Sequence, residues 1–128
     1  MKTAVSLMLV FMLMIVAAPI CSAKFVQIYK CSQDEEATDE QIETVAAEWL
    51  KAAKTMKGGD QLELDLYYPV VAKTGENDLL FVLTAPSLEK WGVFMDGYSD
   101  SAADKVDQKL KDLIDCPDSA LWESVKIK

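Results

Sequence analysis

Three aromatic side chains crowd into Trp91-Gly92-Val93-Phe94-Met95-Asp96-Gly97-Tyr98, and a further indole stands at Trp49. With Met95 they supply the chemistry of a hydrophobic pocket for a small apolar or aromatic molecule, oriented by a few polar groups. Tyr98 and Asp96 are the polar groups at hand, able to orient a substrate or take up its proton. The plainer alternative for each ring is core packing. Cys31 and Cys116 lie too far apart in sequence for a redox pair and point to a structural role.

Other chemistry is excluded by composition. All 13 basic residues are lysine, and the chain has neither His nor Arg. Without His there is no Ser-His-Asp or Cys-His catalytic unit and no imidazole metal ligand. Without Arg there is no bidentate fork for phosphate, and a net charge of −8 argues against nucleic acid. The acidic run Asp34-Glu35-Glu36, with Asp39 and Glu40, matches no calcium-loop spacing and reads as a solvated helix start. Gly58-Gly59 reads as a helix stop and Tyr68-Pro69 as the edge of a strand. No metal and no cofactor are expected.

The elements that must position these residues begin after a leader. Lys2 precedes an uncharged run, Ala4 to Ala18, whose centre Leu7 to Val16 is almost purely apolar. That run is short for a membrane span, and the small-residue stretch Cys21-Ser22-Ala23 reads as a signal-peptidase site. Residues 1–23 are therefore expected to be a cleaved signal peptide, and 24–128 a single exported domain, periplasmic or extracellular. The alternatives are an uncleaved anchor, or a lipoprotein acylated at Cys21, which the bulky Ile20 disfavours. Of the 128 residues, 105 remain after cleavage. Only Cys31 and Cys116 are then left, and an oxidising compartment favours one disulfide.

The domain reads β-α-β-β-α-β. Phe25 to Tyr29 is a short strand. Thr38, with Gln41 three residues on, opens a helix whose apolar stripe runs Ile42, Val45, Ala46, Trp49, Leu50, Ala53 and Met56. Leu62 to Tyr68 alternates as a half-exposed strand, Gly75 sits in a turn, and Leu79 to Thr84 is apolar on both sides. A short helix from Ser87 through Trp91 and Phe94 ends at Gly97. A longer one opens at Ser101 with the stripe Ala103, Val106, Leu110, Leu113 and Ile114, stopped at Cys116-Pro117. Leu121 to Ile127 alternates and closes the chain as a strand.

That order predicts an α+β, ferredoxin-like fold: a four-stranded antiparallel sheet with the helices on one face and an extra short helix before the last long one. The first and last strands are then neighbours, which brings Cys31 and Cys116 to one end of the sheet and predicts a Cys31–Cys116 disulfide. The ligand pocket is expected between sheet and helices, lined by Trp49, Trp91, Phe94, Met95 and Tyr98. The open face is expected to carry Phe25, Tyr29, Tyr67 and Trp122, too apolar for a monomer, so a homodimer is expected to cover it.

Trp91 to Tyr98 followed by Ser101-Ala102-Ala103, and the closing Cys116-Pro117-Asp118-Ser119-Ala120-Leu121-Trp122-Glu123, resemble the dimeric α/β-barrel superfamily. Within it the chain is most similar to antibiotic-biosynthesis-monooxygenase-like domains, including uncharacterised exported ones, over nearly all of 24–128. The resemblance implies the fold more firmly than a reaction. Some members oxidise aromatic polyketides without a cofactor, some degrade haem through an axial His that this chain lacks, and many have no known activity. The expected function is a small dimeric module, with no nucleic-acid or membrane partner after cleavage, that binds a small apolar or aromatic ligand or serves an interaction. The alternative is a cofactor-independent monooxygenase-like enzyme acting on an aromatic substrate.

Overall fold

The computed structural model describes residues 23–71 and 78–127. The leader up to Ser22 and the turn at Gly75 lie outside them. The elements are β1 (Lys24–Gln33), α1 (Asp39–Lys54), β2 (Glu63–Tyr67), β3 (Asp78–Ala85), α2 (Leu88–Asp96), α3 (Ala102–Lys111) and β4 (Ile114–Ser124). The strands form one antiparallel sheet in the order β2-β3-β1-β4, the arrangement of the ferredoxin-like split βαβ unit. Among the described residues no helix is long and apolar enough to cross a membrane.

Each helix starts where the sequence places its cap. In α1 the Gln41 backbone N–H donates to Thr38 Oγ1 at 3.3 Å, and Gln41 Oε1 accepts from the Thr38 backbone N–H at 2.9 Å. This capping box satisfies donors that the first turn leaves open. Ser87 and Ser101 cap α2 and α3 by accepting from the backbones of Lys90 and Asp104. The α1 stripe Ile42, Ala46, Trp49 and Ala53 is buried. At the exit of α1, Gly58 has φ +83° and backs onto α2, where an added Cβ would stand 2.6 Å from the Lys90 carbonyl oxygen. Glycine there lets α2 approach closely enough to drive Phe94 into the core, where it is wholly buried.

Several boundaries differ from the sequence reading. The closing strand begins at Ile114, seven residues before Leu121, and ends at Ser124 rather than Ile127. Leu113 and Ile114 continue the helical spacing of α3, but the helix ends at Lys111 with Asp112 as its C-cap, and Ile114 turns into the core as the first strand residue. Pro117, read as a helix stop, is tolerated because β4 is an edge strand. It falls in a bulge: Lys30 pairs with Asp118 and Ser32 with Asp115, so Cys116 and Pro117 together oppose Cys31. Cys31 therefore lies inside β1, not at its exit.

The predicted disulfide is present at this bulge, Cys31 Sγ to Cys116 Sγ, closing a sequence separation of 85 residues. A loop of that size corresponds to about 4 kcal/mol on the chain-entropy account.

Register assigns the two faces of the sheet, because directly opposed residues share a face. One face carries Leu121, Gln27, Leu83 and Leu64 in one row, and Ser119, Tyr29, Phe81 and Leu66 in the next. Cys31, Leu79, Phe81, Leu83 and Ala85 belong to the core beneath the helices, so this is the covered face. The other carries the rows Trp122, Val26, Thr84, Glu63; Ala120, Ile28, Val82, Asp65; and Asp118, Lys30, Leu80, Tyr67. Tyr67 and Trp122 are thus on the open face, as expected, but Phe25 and Tyr29 are not. They share the parity of Cys31, whose pairing with Cys116 and burial fix that side of β1 to the helices. Both sides of β1 are apolar, so alternation alone does not distinguish them.

Candidate functional site

A cavity of about 560 Å³ lies between the covered face and the helices, lined by residues of every layer. The sheet contributes Tyr29, Phe81, Ile114, Asp115 and Cys116. The helices contribute Trp49 from α1, Phe94 and Met95 from α2, and Asp107, Leu110 and Lys111 from α3; Tyr98 follows α2. Strand alternation aims Tyr29 and Phe81 upward, and the helical spacing of α1 aims Trp49 down onto them.

The rings interlock. Trp49 meets Phe81 and Phe94 edge to face, with centroids 5.6 and 6.1 Å apart. Phe94 meets Tyr98 at 5.7 Å and Tyr29 meets Phe81 at 6.0 Å, both near perpendicular. Such pairs each add about 0.5–1.5 kcal/mol beyond area burial and hold the wall in one arrangement.

One hydrogen bond organises the polar end. The Trp49 indole Nε1–H donates to Tyr98 Oη at 3.0 Å. One lone pair of the phenol is thereby used, and its own O–H is left to donate. Burial pushes the Tyr98 phenol well above its ordinary value; the Trp49 bond opposes this, and the carboxylates of Asp107 and Asp104 add to it. Tyr29 is raised for the same leading reason, burial, with Asp107 adding. Both are therefore protonated hydrogen-bond donors at neutral pH, not bases. At the rim Lys111 Nζ pairs with Asp107 Oδ2 at 2.9 Å across one helical turn.

Trp49, Phe94, Met95 and Tyr98 thus come together around one space. Trp91 does not join them: it is half-buried against the core outside the cavity lining, with its indole N–H lacking a hydrogen-bond partner among the described residues. Asp96 is exposed and does not line the cavity either. Sequence reasoning missed Tyr29, Phe81, Asp107 and Lys111. Phe81 was legible as a core position; Tyr29 needed the parity of Cys31; Asp107 and Lys111 flank the apolar stripe of α3 and carry no signal beyond that.

A second depression, of about 580 Å³, lies at one end of the sheet and is lined by Lys30, Ser32, Tyr67, Pro69, Leu80 and Asp118 among others. It is similar in size and includes Tyr68, whose phenol burial also raises and whose hydroxyl is buried without a hydrogen-bond partner among the described residues, but it does not gather the interlocked rings. Among the described residues no three His, Cys, Asp or Glu side chains are grouped to hold a metal ion.

No protein-family model matches the chain, and no curated protein sequence does. Solved structures do. A cofactor-independent oxygenase from Streptomyces nogalater is 8% identical, with TM-score 0.56, over 82% of this chain and 96% of its own. A conserved protein of unknown function and possible oxidoreductase from Bacteroides thetaiotaomicron is 12% identical, with TM-score 0.55, over 80% and 99%. A dimeric ferredoxin-like protein of unknown function from Thermobifida fusca is 11% identical, with TM-score 0.51, over 82% and 92%. At such identities the likeness concerns architecture alone. The chain has the ferredoxin-like α+β fold of these proteins, as its resemblance to the dimeric α/β-barrel superfamily implied.

Proposed function

We propose that this protein is an exported, dimeric ligand-binding module that holds a small apolar or aromatic molecule in the cavity between its sheet and its helices. The observation that carries the reading is the ring-lined space of about 560 Å³ with the Tyr98 hydroxyl fixed by Trp49 at its polar end. Interlocked rings hold the wall in one arrangement, and the phenol gives a ligand one donor to orient on. The raised phenols favour hydrogen-bond donation to a bound molecule.

Dimerisation is supported by the open face, where Trp122 is 58% and Tyr67 54% exposed beside Val26 and Ile28. Beyond Pro117, β4 is bare on both sides, which leaves an edge strand for a second copy to cover. The fold-mate from Thermobifida fusca is dimeric. The disulfide supports an oxidising compartment, in keeping with the leader.

Calorimetric titration with 2-naphthol tests the pocket, with Met95→Trp as the blocking variant. Met95 lines the cavity and is 36% exposed, so a larger ring there narrows the space without disturbing the buried core. One saturable site per protomer is expected, weakened about tenfold or more by Met95→Trp. Absence of saturable binding, or equal affinity in the variant, contradicts the reading. Oxygen uptake coupled to conversion of the aromatic would replace it with the oxygenase alternative.

A further inference from the structure

We propose that the natural occupant of the cavity is an organic cation, an aromatic or apolar body that carries an ammonium group. This presupposes the ligand-binding reading above and goes further by fixing the sign of the ligand's charge. Four observations converge on it. The wall is built from five rings, Tyr29, Trp49, Phe81, Phe94 and Tyr98, and ring faces attract cations. The ionised groups of the lining are Asp107 and Asp115 against the single ammonium of Lys111. That ammonium pairs with Asp107 Oδ2 at 2.9 Å within the same helix, which leaves the Asp115 carboxylate as the excess charge of the lining.

The fourth observation is the field inside. Asp107 acts on both phenols, and Asp104 acts on Tyr98 as well. The carboxylates thus lie near enough to the phenols to disfavour a further negative charge beside them. An anion entering would lose its hydration and meet two carboxylates. A cation exchanges its hydration for ring faces and for the remaining lone pair of Tyr98 Oη. The chain's net charge of −8 favours the encounter as well.

Three probes of one shape decide it by calorimetry on the intact protein: 2-naphthylmethyl-trimethylammonium, 2-naphthylmethanol and 2-naphthoate. The cation is expected to bind about tenfold tighter than the alcohol, and the carboxylate weakest. Asp107→Asn is expected to weaken the cation several-fold while leaving the alcohol, which also reports that the variant is folded, within about twofold. If the alcohol binds as tightly as the cation, the charge assignment is overturned and the ligand-binding reading stands. A cation preference that Asp107→Asn does not move places the cation elsewhere and overturns the assignment to this cavity. If none of the three binds, both readings fall together.

Discussion

Tyr29 and Ile28 are neighbours in the chain and belong to different worlds. Tyr29 points under the helices, where its ring meets Phe81 and its hydroxyl feels Asp107. Ile28 points to the open face, in register with Val82 and Ala120. Both faces carry apolar side chains. They differ in what covers them: three helices and a disulfide close one, while on the other Trp122 and Tyr67 are exposed although Val82, in the interior strand, is buried. A covered face with interlocked rings can keep a cavity; an uncovered apolar face invites another copy. The same strand thus serves two surfaces, and substitutions on its two sides, or in the elements behind them, separate the two roles.

The largest stability effect is expected under the helices. Phe94 is wholly buried and touches both Trp49 and Tyr98, so Phe94→Ala is expected to cost about 3–5 kcal/mol, read by chemical denaturation. A loss below about 1 kcal/mol would show that the rings do not form a packed wall. Next is the staple on the same side. Replacing Cys31 and Cys116 together by Ala is expected to cost about 2–4 kcal/mol and to leave β4 the first element to lose amide protection in hydrogen exchange.

The open face is expected to respond differently. Ile28→Glu places a charge in the middle of that face, and for the proposed homodimer sedimentation is expected to show separation into protomers. Its cost to the isolated protomer is expected to be about 1 kcal/mol or less, since Ile28 is only partly buried. A variant that stays dimeric would move the interface off this face.

The smallest effect is a pH dependence. Because the folded-state phenol of Tyr98 is raised above its ordinary value, the folded protein holds a proton that the unfolded chain releases above pH about 10. Its stabilisation is intact below that pH and is lost as pH rises further. The wild type is therefore expected to lose stability between about pH 10 and 11 more steeply than Tyr98→Phe, which has no phenol to ionise. Parallel curves would mean that the hydroxyl is not held in the environment described.

Much of this was legible in the sequence for stated reasons. The caps Thr38, Ser87 and Ser101 stand where the helices begin, and element order alone brings Cys31 beside Cys116. Four of the five residues expected around a pocket line it. The misassigned residues of β1 share one cause, that parity in a strand apolar on both sides is set by its partners. Aromatic character suggests the open face for Tyr29 and Phe25, whereas the covalent tie at Cys31 fixes the opposite side. Leu113 and Ile114 fit a helical stripe and a strand start equally well, and the bulge at Cys116-Pro117 depends on a pairing no local signal encodes. Trp91 was grouped with Phe94 by proximity in sequence, but three positions along a helix leave room for the two rings to face different neighbours.

The central claim, that ligand and partner use opposite faces, is tested most directly by mapping amide and side-chain NMR shifts during titration with 2-naphthol. The account predicts saturating shifts confined to the covered side, at Tyr29, Trp49, Phe94, Tyr98 and Leu110, with Val26, Ile28 and Val82 unmoved. Shifts centred on Val26, Ile28 and Val82, with the ring cluster silent, would contradict it.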